Sequence, residues 1–297
     1  MLYIFYNPTD YLDYIFDGIT LKDEVTLVNL NKGSNIFQKF LRKKIKPTIN
    51  FSQLYFGTSV SSLIHKIDEN DTVLLIDYVD DNIINCFTSI LPQKTSKYLW
   101  FWNPLDEDFS FDKIEKIKSQ NFKIFTFNQR DQLKFSLQYL PQFYNMFSKK
   151  NEELKDETID IYFLGFDKGR SHLLNELKES LSEFKCFFKI VNDHNHLITY
   201  NENIINIQKS KCILDITQVN QEGLSLRPLE AIAFNKKLIT NNVNIVNYEF
   251  YKKENIFIIG RDSLSNLKNF LNSDSITIDY VIKQKHDVNT WINSFKK

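Results

Sequence analysis

Glycine and proline are scarce in this chain of 297 residues, at 7 and 6. So few turn-makers exclude collagen-like and low-complexity chains, and they give weight to any glycine standing where a strand ends. Cysteine is nearly absent as well. Cys86, Cys186 and Cys212 lie far apart in apolar strings, which reads as buried free thiols rather than a disulfide frame or a zinc site. No excess of charge exists, because 37 Lys and Arg balance 37 Asp and Glu. Without a field of one sign, nucleic acid is not an expected partner and any membrane contact must be local. Long apolar runs are missing too: TVLLI at 72–76 and NIFIIG at 255–260 fall far short of the ~20 residues a membrane helix needs. The amino terminus carries no basic region ahead of its apolar start, so a cytoplasmic protein is expected.

Aromatic residues are abundant, with 26 Phe, 14 Tyr and 3 Trp, and most of them read as core filler. Hydrophobic content of 42% and charged content of 25% are those of a globular protein. The length suits two domains of about 150 residues each.

Short apolar strings alternate with amphipathic stretches along the whole chain. In the first half LYIFY (2–6), EVTLVNL (24–30), TVLLIDY (72–78), KYLWFW (97–102) and FKIFTF (122–127) read as strands, and NIFQKFLRKKI (35–45) and SVSSLIHKIDEN (59–70) as helices. Strands alternating with helices imply a parallel sheet covered by helices. The polar stretch SKKNEELKDET at 148–158 reads as a linker, after which the alternation restarts. Strands are expected at 159–165, 185–191, 211–216, 237–240 and 255–260, and helices at 172–184, 201–210 and 226–235. The tail, 287–297, has Val288, Trp291, Ile292 and Phe295 at helical spacing, which predicts a closing helix. The expected domains are therefore 1–150 and 151–297, both Rossmann-like.

In open α/β sheets ligands bind beyond the carboxyl ends of the strands, which directs attention to two loops. The first, LGFDKGRSHLL, sets Gly165 and Gly169 around two cations, Lys168 and Arg170, just ahead of a helix. A helix amino terminus flanked by cations is a ready anion site, with phosphate as the natural guest. In the second, a strand ends at Asp215, the loop TQVNQEG follows, and a helix opens near Leu226 with Pro228 in its first turn, where a missing amide hydrogen costs little. Glu222 stands in that loop and could accept hydrogen bonds from sugar hydroxyls. Gly223, Leu224 and Ser225 could bring backbone amides to a ligand, and Glu230 could hold a ribose diol.

Glu222, seven intervening residues and Glu230, followed by AIAFNKKLIT, resemble the Glu-x7-Glu signature of nucleotide-sugar-dependent glycosyltransferases of the GT-B fold. The DKG of 167–169 falls where such enzymes carry a cation pair facing the donor pyrophosphate. WFWNP (100–104), FTFNQRDQLKFSLQYLPQFY (125–144), YFLGFDKGR (162–170) and ITNNVNIVNYEFY (239–251) resemble small GT-B proteins of bacterial lipopolysaccharide and capsule gene clusters. The chain departs from the pattern at Ser225 and Asn235, which stand for glycines, at Lys237, which stands for a proline, and at YNPTDY (6–11), which replaces a glycine-rich loop.

The resemblance implies two Rossmann-like domains facing a central cleft, with the last helix packing back on the first. It implies sugar transfer from a nucleotide-sugar donor, itself a substrate rather than a cofactor, to a glycan or lipid-linked acceptor. Lys168 and Arg170 would stabilise the leaving phosphate, Glu222 would orient the donor sugar, and Tyr6, Asn7, Thr9 and Asn103 would meet the acceptor. Retention is the expected outcome; inversion would need a base, for which Asp10 is the candidate. No metal is expected, since DYVDDN (77–82) and DEDF (106–109) only superficially resemble acidic metal loops, and the histidines, including His172, His194, His196 and His286, lack metal-ligand spacing. A lipid-linked acceptor would place the chain peripherally at the inner face of the cytoplasmic membrane, through a patch such as FLRKKIKP (40–47). A nucleotide-sugar epimerase and a catalytically degenerate binding module of the same fold are the alternatives.

Overall fold

Apolar strings become the strands of two parallel sheets, with central strands such as Thr72–Ile76 (TVLLI) and Lys237–Thr240 (KLIT) buried along their whole length. A computed structural model describes residues 1–32, 56–152, 156–192, 198–217 and 221–296. The chain divides into two units: Met1–Thr9, Thr20–Leu140 and Ile292–Lys297 form the first, and Asp10–Ile19 with Pro141–Trp291 the second. The division falls at Leu140 and Pro141, ahead of the polar stretch at 148–158, and the helix after the first strand is grouped with the second unit. The expected helix at 35–45 and the basic patch at 40–47 lie outside the described residues.

Unit 1 is built on β1 (Leu2–Tyr6), β2 (Val25–Asn29), β3 (Thr72–Ile76), β4 (Ser96–Phe101), β5 (Phe122–Thr126) and β6 (Gln138–Tyr139). They pair in parallel in the order β2-β1-β3-β4-β5-β6. The chain winds outward from β1 to β2, then returns to the other side of β1 as β3. That reversal is the topological switch point of a doubly wound, Rossmann-like sheet. Helices α2 (Thr58–Ile64), α3 (Asp81–Ile90), α4 (Phe111–Ser119) and α5 (Gln129–Phe135) connect the strands. Phe5, Val73, Leu75, Phe87, Leu99 and Ile114 lead the core, with Phe5 edge-on to Phe87 at 4.7 Å. The last residues of the chain join this unit, with Phe295 edge-on to Tyr98 and Phe125, each 5.4 Å away.

Unit 2 contains β7 (Ile159–Phe166), β8 (Cys186–Val191), β9 (Ser210–Asp215), β10 (Lys237–Thr240) and β11 (Ile256–Ile258). The order β11-β10-β9-β7-β8, all parallel, puts its switch point between β7 and β9. Its main helices are α1 (Asp10–Asp17), α6 (Ser171–Ser180), α7 (Tyr200–Gln208) and α8 (Leu226–Ala233); α9 (Leu267–Asn272), α10 (Tyr280–Lys285) and α11 (Val288–Asn293) follow. Phe163, Leu174, Cys212, Leu214, Ile239 and Phe257 fill the core. Sequence signals set the helix starts: Thr199 and Glu202 form a reciprocal capping box ahead of α7, and Ser225 caps α8, each satisfying amides that the first turn leaves open. Trp291 stacks on Phe143 at 3.9 Å. Among the described residues no helix is long and apolar enough to cross a membrane.

Candidate functional site: a cation cluster at the switch point of unit 2

Past the end of β7 the backbone turns through Lys168 (φ 45°) and Gly169 (φ 78°), both left-handed. Glycine adopts this at no steric cost, whereas lysine carries about 1–2 kcal/mol of strain. The turn closes where Arg170 N donates to Asp167 O at 2.9 Å. Asp167 Oδ1 accepts from the Ser171 amide at 2.7 Å, at the head of α6. Those bonds from Ser171 hold the Asp167 carboxyl below its ordinary range.

Two guanidiniums meet beside this turn. Arg170 is buried and donates to Ile216 O, to Phe166 O at 2.6 Å and to Asp167 O at 3.2 Å. Arg227, at the start of α8, reaches across to donate to Leu164 O through Nε at 3.1 Å and Nη2 at 2.5 Å. Its Nη1 lies 3.5 Å from Asp215 Oδ1. Both cations sit over the Phe163 ring, at 5.5 Å for Arg170 and 4.7 Å for Arg227, an arrangement the ring quadrupole favours. Gly165 makes the room. A Cβ there would lie 2.2 Å from Arg227 Nη2 and 3.1 Å from Arg170 Nη2.

The charges oppose one another. Desolvation first, and then the like charge of Arg227, push Arg170 down to about 10, with Asp215 opposing. Desolvation followed by Arg170 and Arg227 lowers the Lys168 ammonium, although its side chain is exposed. The neighbouring carboxylate, Asp215, is fully buried and accepts from Ser225 Oγ at 2.7 Å and Thr240 Oγ1 at 3.0 Å. Three cations gathered beside one internally satisfied carboxylate form a place that an anion would stabilise.

The second loop divides its residues between crevice and interior. Residues 218–220 lie outside the described residues, and Glu222 beside them is exposed. Gly223 and Leu224 are buried, and Ser225 links Asp215 to the α8 start, its Oγ accepting from the Arg227 amide at 3.3 Å. Glu230 departs from the expected ribose contact: it is only 5% exposed. Its Oε1 accepts from Tyr200 OH at 2.7 Å and Asn203 Nδ2 at 3.0 Å. Tyr144 OH lies 2.8 Å from Tyr200 OH, and Tyr162 OH donates to Asn203 Oδ1 at 2.8 Å. Desolvation pushes the Glu230 carboxyl up, against the pull of Tyr200, Arg227 and Asn203. Helix α8 is buried at every position from Pro228 to Ala233, so a carboxylate at 230 must find its partners inside, here on α7.

Asp10 opens α1 and is exposed. It was expected on the first domain with Tyr6, Asn7 and Thr9; it directly follows Thr9, at the point where the chain passes from unit 1 to unit 2, and α1 groups with unit 2. The physical reason is aromatic packing: the ring of Tyr14 lies 5.3 Å from that of Tyr200 and 5.8 Å from that of Tyr144.

In unit 1, Tyr6 is buried at the end of β1 and Thr9 is half-buried. Asn7 is exposed, and its Oδ1 accepts from Tyr78 OH at 2.8 Å and Asn31 Nδ2 at 3.0 Å. Asn103, also exposed, donates through Nδ2 to Asp77 Oδ2 at 2.7 Å, while Asp77 Oδ1 accepts from the Trp102 amide at 2.8 Å. The acidic string after β3 serves local structure. Asp80 accepts from the amides of Asn82 and Ile83 to cap α3, and Asp81 pairs with Lys116 at 2.5 Å. Among the described residues no three His, Cys, Asp or Glu side chains come together as metal ligands. His194 and His196 lie outside the described residues; His172 is exposed beside Glu176, and His286 packs edge-on to Phe250.

Sequence reasoning passed over Arg227, Thr240, Tyr200 and Asn203, and noted Asp215 only as a strand end. A carboxylate closing the apolar string CILD was the available signal for Asp215. Nothing local marked Arg227, whose carbonyl partner, Leu164, lies 63 residues away.

No family model matches the chain, and no curated protein does. Among solved structures, it is similar to a chain in the crystal structure of accessory secretory protein 1, 2 and 3 in Streptococcus pneumoniae, at 12% identity and a TM-score of 0.43. The similarity covers 79% of this chain and 52% of that one, so this chain spans about half its length. At that identity and score the likeness assigns no residue a role; what stands on its own is an α/β protein of two doubly wound parallel sheets, with a cation cluster at the switch point of the second.

Proposed function

We propose that the chain is a GT-B glycosyltransferase that moves a sugar from a nucleotide-sugar donor to a glycan or lipid-linked acceptor in bacterial surface polysaccharide synthesis. One observation carries the reading: Lys168, Arg170 and Arg227 converge at the switch point of unit 2, where a diphosphate would relieve their mutual repulsion. The resemblance of the stretch from Glu222 to Thr240 to the Glu-x7-Glu pattern supplies the sugar chemistry. Lys168 and the turn amides meet the phosphates, Arg170 and Arg227 supply field from behind, and Glu222 orients the donor sugar. In a retaining transfer the bond between sugar and phosphate breaks, the acceptor oxygen bonds to the same carbon, and the acceptor proton passes to the departing phosphate. Glu230, turned inward, acts by fixing α8 and its cap rather than by touching ribose.

The test is a thermal-shift panel of UDP-, GDP-, CMP- and dTDP-sugars, with Lys168→Ala and Glu222→Ala alongside. One nucleotide is expected to stabilise the wild type and to lose its effect in Lys168→Ala, while Glu222→Ala still binds but no longer transfers sugar. Activity is expected to survive EDTA. If no nucleotide shifts the folded protein, the donor assignment falls. A binding module without turnover is the second reading, favoured by the burial of Glu230 and by the backbone carbonyls that occupy Arg170 and Arg227. Tight nucleotide-sugar binding with no transfer to any acceptor would select it.

A further inference from the structure

Beyond its switch point the winding of unit 2 stops after one strand, which leaves β8 at an edge of the sheet, paired with β7 alone among the described residues. The opposite edge, β11, is three residues long, and so short an edge offers little for another strand to pair with. β8 has six residues, CFFKIV, with neither proline nor glycine. An edge of that length and composition is a template for strand addition.

The direction of its peptide groups is fixed by the ladder to β7. Lys185 O accepts from the Asp160 amide at 2.9 Å, and Val191 O from the Asp167 amide at 2.9 Å. Peptide groups alternate along a strand, so residues 185, 187, 189 and 191 bond toward β7, and Cys186, Phe188 and Ile190 turn theirs away from the sheet. The Cys186 amide bends back to Phe184 O at 2.9 Å; Phe188 and Ile190 present both groups at the edge. The side chains divide in the same way. Cys186, Phe188 and Ile190 pack against the core of unit 2. Phe187, 40% exposed, stacks on Tyr162 at 5.8 Å on the other face, which alternation gives to Lys189 as well.

Lys189 limits what can pair here. A second copy, added antiparallel about a two-fold axis normal to the sheet, sets each residue opposite one of its own face, so the register must centre on a residue. Centred on Phe187, the pairing puts Lys185 opposite Lys189; centred on Lys189, it puts that lysine opposite itself. Like charges directly opposite are destabilising. Centred on Phe188, it puts Lys189 opposite the exposed Phe187 ring of the second copy, at two symmetric points, a cation–π contact. Cys186 then faces Ile190 and Phe188 faces its own copy, so the apolar layer runs through the joint and the outward peptide groups meet.

We infer that β8 is a homodimerisation edge, at which two copies pair antiparallel about Phe188 and join two five-stranded sheets into one of ten. Because the strands of the two copies run in opposite directions, their anion turns past β7 face opposite ways. Dimerisation is independent of the glycosyltransferase reading, and the nucleotide panel bears on neither of its outcomes.

Sedimentation velocity of the full chain over a concentration series is expected to show a monomer–dimer equilibrium. Phe187→Lys, at an exposed position, places a lysine opposite Lys189 twice and is expected to weaken dimerisation about tenfold. Adding Lys189→Glu restores the dimer, which a misfolded chain would not do. Register is read by disulfide trapping, since opposite residues of a non-hydrogen-bonded pair have Cα atoms about 4.5 Å apart, within reach of a disulfide. Under mild oxidation Phe187→Cys and Lys189→Cys are each expected to stay uncrosslinked alone and to give a disulfide dimer when mixed, with the wild type and its native Cys186 as control. Should Phe187→Lys fail to fold, this mixture decides the matter. A chain monomeric at every concentration overturns the inference and leaves the edge to a strand of some other protein. A dimer indifferent to Phe187→Lys, or a disulfide from either cysteine variant alone with none from the mixture, overturns it as well.

Discussion

At the switch point of unit 1 the strand ends present Asp77, Asn103 and Asn7, whereas at the same topological place in unit 2 they present Lys168, Arg170 and Arg227. Both crests are produced by one event, the reversal of winding that parts two neighbouring connections. Each also holds a non-glycine residue in the left-handed region, Asp77 at φ 57° and Lys168 at φ 45°. Strain of this kind persists only where surrounding bonds enforce it. The difference lies in how each crest is wired. In unit 1 a carboxylate organises amides around itself near the surface; in unit 2 two arginines reach under the crest to backbone carbonyls, and only Lys168 is left exposed. Topology makes the crevice, and a few side chains from distant segments choose the sign of what it attracts.

The largest expected effect breaks the wiring of unit 2. Arg227→Met strips Leu164 O and the buried Asp215 of a partner and is expected to cost about 3 kcal/mol in urea unfolding, against about 1 kcal/mol for Asp77→Ala in unit 1, which is nearer the surface. Gly165→Ala should follow at about 2 kcal/mol, because its methyl displaces the Arg227 guanidinium; anion affinity should fall with it, measured by calorimetry.

Glu230→Gln tests the cage. Burial raises this carboxyl above its ordinary value of 4.5, so the folded protein holds the proton more tightly than the unfolded chain does. The stability this contributes is complete below 4.5 and is lost as pH rises through the folded value. Glutamine keeps both hydrogen bonds and has no proton to lose. Wild-type stability relative to the variant is therefore expected to fall as pH is raised from acid to neutral; a flat difference would refute a raised carboxyl.

The smallest effect separates strain from function. Lys168→Gly relieves the left-handed lysine and should gain about 0.5–1 kcal/mol while weakening anion binding severalfold. Raising salt from about 50 to about 500 mM should mimic that loss in unit 2.

Much of the fold was legible because interior parallel strands need apolar strings, and those at 2–6 and 72–76 are hard to misread. TVLLIDY stops at Ile76 rather than Tyr78 because Asp77 turns left-handed, and β6, two residues long, left no periodic trace. The anion loop could be read from Gly165, Lys168, Gly169 and Arg170 because its residues are contiguous. Arg227 could not be, since its importance comes from carbonyls on another strand. The enclosure of Glu230 was not legible for a related reason: sequence places a carboxylate on a helix but does not say which side of that helix meets Tyr200 and Asn203.

The sequence by itself determined the positions of the main strands and of several helices, the restart of the pattern near residue 159, and the candidate phosphate loop. These depend on local periodicity, capping and turn chemistry, which are encoded in neighbouring residues. Only the tertiary structure decided the strand order, the grouping of α1 with unit 2, the pairing of Arg170 with Arg227 over Phe163, and the enclosure of Glu230. Each of these is set by contacts between segments far apart in the chain, where packing and desolvation, rather than local preference, select the outcome.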